Sequence, residues 1–165
     1  MKLLLAVFSL FSSVALSQSG DWQYSYPRME FTDLITLCEN SMGEEALTCE
    51  TTCLNFYGLM DLKYEVEFTY KGASSELTGT KKRYIDDWIN VYLDDRYKDM
   101  FQHEILFSND SVDYRIAVQE PTFPYYSDEL KNGDSVYLYL LYVGTLIKED
   151  VLEHVFVAND FIKVE

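Results

Sequence analysis

The stretch LKNGDSVYLYLLYVGTLIKEDVLEHVFVANDFIKVE, Leu130 to Glu165, decides how this chain is read. Asn132-Gly133 is a strong turn dipeptide and leads straight into a strand over Ser135–Val143. Val136, Leu138, Leu140 and Tyr142 fall on one face of that strand, and Tyr137, Tyr139, Leu141 and Val143 on the other. A strand apolar on both faces needs cover on both sides. Leu152–Val157 reads as a further strand and Phe161–Val164 as a short closing one. The chain therefore ends in β-structure with one strand held between two layers.

The obvious cover lies upstream in TKKRYIDDWINVYLDDRYKDM, Thr80–Met100, a helix expected to be capped by Thr80. Ile85, Trp88, Ile89, Tyr92 and Leu93 form its apolar stripe, while Asp86, Asp87, Asp94, Asp95 and Asp99 stand mostly off it. Those acids read as a solvated face, because no D-x-D-x-D-G calcium loop surrounds them. Before the helix, Leu62–Lys71 alternates as a half-buried strand, with Tyr64, Val66, Phe68 and Tyr70 on its apolar face. KGASSELTGTK then reads as a loop and an internal joint. After the helix, Gln102–Ser108 and Val112–Gln119 are strands joined by Asn109-Asp110-Ser111, which is also an N-x-S sequon.

Nearer the N-terminus, Phe31, Leu34, Ile35 and Cys38 recur at helical spacing within Met29–Asn40. A second helix is predicted over Glu44–Tyr57, with Ala46, Cys49, Cys53, Phe56 and Met60 as its inward stripe. The fold class is α+β: an N-terminal helical hairpin and an amphipathic helix packed on a small C-terminal antiparallel β-barrel. Residues 28–100 form the helical and strand part and residues 102–165 the barrel, in one domain over 18–165.

MKLLLAVFSLFSSVALS, residues 1–17, has the charge, the short apolar run and the small-x-small ending of an export signal. No other segment approaches the ~20 apolar residues of a membrane helix. A secreted or periplasmic protein without stable membrane insertion is expected. In an oxidising compartment three cysteines imply one disulfide and one thiol left over. Folding the hairpin about its turn favours Cys38–Cys49, since Cys49 and Cys53 lie one helical turn apart on the same face. Cys53 is then a buried hydrophobe. Loss of Lys2, the only charge in residues 1–17, takes the formal charge from −15 to −16. That balance argues against nucleic acid, whose phosphates require a basic face, and reads either as a charge that keeps the protein soluble or as an acidic surface that captures a basic protein.

No catalytic signature such as G-x-S-x-G, H-E-x-x-H or a P-loop is present, and no cofactor or metal is expected. His103 and His154 share strand faces with apolar neighbours and read as packed histidines. The alternative is a small envelope hydrolase or metal-binding protein, in which the two meet across the barrel with Glu104 or Glu153. The aromatic loop Pro121–Tyr126 is the better candidate. Phe123, Tyr125 and Tyr126, flanked by Asp128 and Glu129, would offer large rings with an acidic rim, unless the rings plug the barrel. The sequence says nothing of oligomeric state.

Residues 112–165 resemble an SH3-like barrel. DELKNGDSVYLYL is similar to the end of the long first loop and the entry to the following strand in that fold. VFVANDFIKVE is similar to its closing strand, single helical turn and last strand. The resemblance implies a peptide-binding groove in which Tyr125, Tyr126, Asp128 and Glu129 occupy the long loop and Asn159 the closing turn. Exported SH3-like modules make cell-wall or protein contacts, so the expected function is an exported, acidic, non-enzymatic protein-binding module that docks or neutralises a basic protein.

Overall fold

The computed structural model describes residues 26–41, 54–56, 63–148 and 151–165. Helix α1 spans Phe31–Ser41 and buries Phe31, Leu34 and Cys38, as the spacing of those residues predicts. The second helix falls largely on residues outside the described ones. Its expected C-terminal part, however, is a strand, β1, Leu54–Phe56. It pairs with residues 144–146 of a long later strand, whose backbone groups would otherwise form an open edge. The helical hairpin therefore does not extend to Tyr57. Cys38 is a free, buried thiol, while its expected partner Cys49 lies outside the described residues, as does Cys53. Burial pushes the Cys38 thiol up to about 12.

Strand β2, Lys63–Glu76, runs through the segment expected to be a loop. A bulge lets it continue: the five residues from Tyr70 to Ser74 face only the three from Phe107 to Ile105, and Gly72 takes φ +72° there. Helix α2 is shorter than its apolar pattern suggested, Gly79–Tyr92, with Thr78 rather than Thr80 at its N-cap. Leu93 turns extended, and the Asp94 carboxylate accepts the Arg96 N–H at 3.1 Å inside a short 3-10 turn, Asp95–Tyr97. Carboxylates at a helix C-terminus oppose its dipole, so the acid pair marks the natural stop.

Strands β3, Phe101–Asn109, and β4, Val112–Gln119, form the expected hairpin. Asp110 and Ser111 both take positive φ, the conformation a two-residue hairpin turn demands. Helix α3, Phe123–Glu129, replaces the anticipated aromatic loop, with Pro124 in its first turn. Strands β5, Ser135–Lys148, and β6, Val151–Lys163, complete the chain as one long hairpin.

Strands β5, β2, β3, β4 and β6 close into a five-stranded barrel. All pairs are antiparallel except the short closing contact of β4 with β6, Ala117 opposite Val157 and Val118 opposite Ala158. The barrel thus draws strands from residues 63–76 and 101–109 as well as from 112–165. The single helical turn anticipated near the C-terminus is absent, because β6 runs through it unbroken. Asn159 and Asp160 are taken up in a bulge, since Leu138 pairs with Phe161 and Leu140 already with Ala158.

Two apolar layers share β5. Val136, Leu138, Leu140 and Tyr142 point into the barrel, where Phe68, Phe107 and Phe156 meet them and α1 adds Phe31 and Leu34. Tyr139, Leu141 and Val143 point outward onto Tyr84, Ile85, Trp88 and Ile89 of α2. The strand apolar on both faces is therefore covered on both, one side by the barrel interior and the other by the helix. Lys81 pins the helix further: its Nζ donates to the Arg115 carbonyl at 2.6 Å and lies 3.2 Å from Glu153. Among the described residues no helix is long and apolar enough to cross a membrane.

Candidate interaction site at helix α3

Helix α3 divides the predicted binding residues into two groups. Tyr126 is driven inward and is 0 % exposed. Its ring meets Phe107 edge-on at 6.0 Å and Phe161 at 4.3 Å, so it plugs the barrel interior. The Tyr126 hydroxyl has no hydrogen-bond partner, and burial, with the Asp160 carboxylate second, raises its pKa well above the ordinary value. Tyr126 is therefore a core residue and not a contact residue. Phe123 is half-buried and lies flat on His103, ring centroids 4.1 Å apart and planes 4° from parallel.

Tyr125 stands outward, 54 % exposed, with Asp128 and Glu129 exposed on the same short helix. Asn159 belongs elsewhere. It accepts from Gln119 Nε2 at 2.8 Å and donates to the Tyr26 hydroxyl at 2.5 Å, tying β6 to β4 and to the segment before α1. The following turn is anchored by Asp134. Lys163 Nζ and the Lys131 N–H both donate to its carboxylate, at 2.5 and 2.8 Å, and hold it below the usual carboxylate range. The outward face of α3 thus combines one large ring with two free carboxylates on a well-fastened support.

The two histidines belong to separate networks. His103 Nδ1 lies 2.7 Å from Glu120 Oε1; a carboxylate only accepts, so Nδ1 carries the proton. The Gln102 N–H donates to the same oxygen at 3.2 Å. His154 Nδ1 meets the Tyr142 hydroxyl at 3.1 Å, and its Nε2 is buried without a hydrogen-bond partner. Burial lowers the His154 pKa, with Glu39 acting in the opposite direction. Among the described residues no group of three or more His, Cys, Asp or Glu side chains is placed to hold a metal ion.

One feature escaped the sequence. A cleft of about 230 Å³ opens on the barrel's outside, lined by Glu30, Glu67 and Asp110 together with Thr69, Ser108 and Ser135. These residues are scattered over four segments, and only strand register brings them together: Thr69 pairs with Ser108 on one side and with Ser135 on the other. Compared with family models, with curated proteins and with solved structures, the chain finds no match.

Proposed function

We propose that this is an exported, acidic, non-enzymatic module that docks a basic protein, with Tyr125, Asp128 and Glu129 of α3 at the contact. The observation that carries the reading is the state of the acidic groups. Asp87, Asp113, Asp128 and Glu129 are exposed and make no ion pair among the described residues. Unpaired exposed carboxylates project a negative field that speeds and orients encounter with a cationic surface. Tyr125 adds apolar area at small entropic cost, which charge alone does not supply. The closed five-stranded barrel is consistent with an SH3-like module. It keeps α3 rigid through Tyr126 and Leu130, so the contact residues are preorganised.

Affinity capture from the secreted fraction of the source cells, at low and at high salt, tests the proposal. A basic protein retained at low salt and released at high salt is expected. Its affinity should fall in Tyr125→Ala and in the double variant Asp128→Asn/Glu129→Gln. A neutral or acidic partner, or binding indifferent to all three changes, overturns the reading.

A further inference from the structure

We propose that Asn109 is a glycosylation site, taking an oligosaccharide on its side-chain nitrogen as the chain is exported. The inference rests on the export reading above and is independent of docking at α3. No other asparagine in the chain has Ser or Thr two residues on. A sequon alone is a short pattern; its place in the fold decides whether a bulky group can sit there.

Asn109-Asp110-Ser111 occupies the tip of the β3–β4 hairpin. Asn109 ends β3, and Asp110 and Ser111 form the two-residue turn. Asp110, Ser111, Val112 and Asp113 are all exposed, so no described element covers the tip. Asn109 is half-buried and lines the cleft of about 230 Å³, which gives a first sugar room. Thr69, Ser108 and Ser135 line the same cleft with hydroxyl groups that suit those of a sugar. Across the hairpin Asn109 pairs with Val112, so the two side chains lie on the same face. Val112 is 53 % exposed, one of the few large apolar side chains left to solvent among the described residues. A glycan on Asn109 would lie beside it and shelter it.

The co-reactant is an oligosaccharide carried on a lipid pyrophosphate. Asn109 Nδ2 forms a bond to the anomeric carbon, and the bond from that carbon to the phosphate oxygen breaks. The lipid pyrophosphate leaves with the electron pair, and Nδ2 gives up one proton to the transferase and keeps one. The retained N–H suffices for the bond that Nδ2 donates to the Glu67 carbonyl at 3.0 Å, so the glycosylated chain can adopt this fold. That bond, with φ of +48° at Asp110 and +68° at Ser111, also fixes the sequon once the hairpin has closed. Transfer therefore belongs to the emerging chain, before folding.

The test takes the full chain from the secreted fraction of the source cells and treats it with a peptide N-glycosidase in heavy-oxygen water. A drop in mass is expected, with position 109 then reading as heavy-oxygen aspartate in peptide mass spectrometry. Ser111→Gly is the decisive variant. It removes the sequon hydroxyl, and glycine accepts the positive φ, so the turn and the melting curve are kept. It should abolish the modification completely, as should Asn109→Gln, which also alters the Glu67 contact. A secreted chain whose position 109 remains unmodified, or a Ser111→Gly chain that keeps its glycan, overturns the inference and leaves the export reading standing. A chain found only inside the cells and unmodified overturns both.

Discussion

Helices α2 and α3 both cover the barrel, and they do so by different physics. The fourteen-residue α2 lays four side chains, Tyr84, Ile85, Trp88 and Ile89, across the outside of β5 and β6. The seven-residue α3 sends one large ring, Tyr126, into the interior. A broad stripe spreads its stabilisation over many contacts and leaves its polar face to water. A single plug concentrates its stabilisation and buries a hydroxyl without a partner. The difference shows why α3 is the element with a face to spare: Tyr126 fastens it, and Tyr125 beside it remains free to meet something else.

The comparison breaks most severely at the strand both layers share. Leu140→Asp places a carboxylate in the interior and should unfold the chain, seen as loss of the cooperative thermal transition. Trp88→Ala removes the centre of the α2 stripe and should cost about 3–5 kcal/mol in denaturant unfolding. Tyr126→Ala should cost somewhat less, about 2–4 kcal/mol, because losing the unpaired hydroxyl offsets part of the lost packing. Tyr126→Phe sharpens the contrast: it keeps the plug, discards the unsatisfied group, and should stabilise by about 1 kcal/mol. A loss of stability in Tyr126→Phe would show that the hydroxyl has a partner after all.

A pH experiment separates the α1-covered part of the interior from both helical covers. Burial lowers the folded pKa of His154 below its ordinary 6.5, so the unfolded chain binds its proton first. Stability from this group is complete above pH 6.5 and is lost as pH falls from there through the lowered folded value. His154→Phe should flatten the stability profile below pH 6.5, and an unchanged profile would refute the assignment. The smallest effect belongs to the outward face of α3. Tyr125→Ala should leave stability within ~0.5 kcal/mol, since the ring is mostly solvated, and should register only in partner affinity.

The candidate residues of α3 stand out in the sequence as an aromatic, acid-flanked segment, but their directions do not. Phe123, Tyr125 and Tyr126 look alike in a loop; only a helix over that segment sends Tyr126 inward and leaves Tyr125 out. The alternative that the rings plug the barrel thus holds for Tyr126 and fails for Tyr125. The Cys38–Cys49 pairing rested on a hairpin whose second half is a strand by Leu54, so its premise does not extend that far. The cleft was invisible because Glu30, Glu67, Asp110 and Ser108 carry no shared motif or spacing.

What the sequence determined by itself is local: the alternation of β2, the two apolar faces of β5, the stripe of α2, the hairpin turn at Asp110-Ser111 and the turn at Asn132-Gly133. Each follows from side-chain periodicity or from a residue's own φ preference, and neither needs the rest of the chain. What only the tertiary structure decided is pairing. β1 is a strand because β5 extends past the barrel and leaves an edge to fill, and β2 continues because a bulge at Gly72 keeps it paired with β3. β6 absorbs Asn159 and Asp160 because β5 holds it on both sides of them. Backbone hydrogen bonds to distant strands outweigh the weak local preferences of those segments, and the same register assembles the cleft.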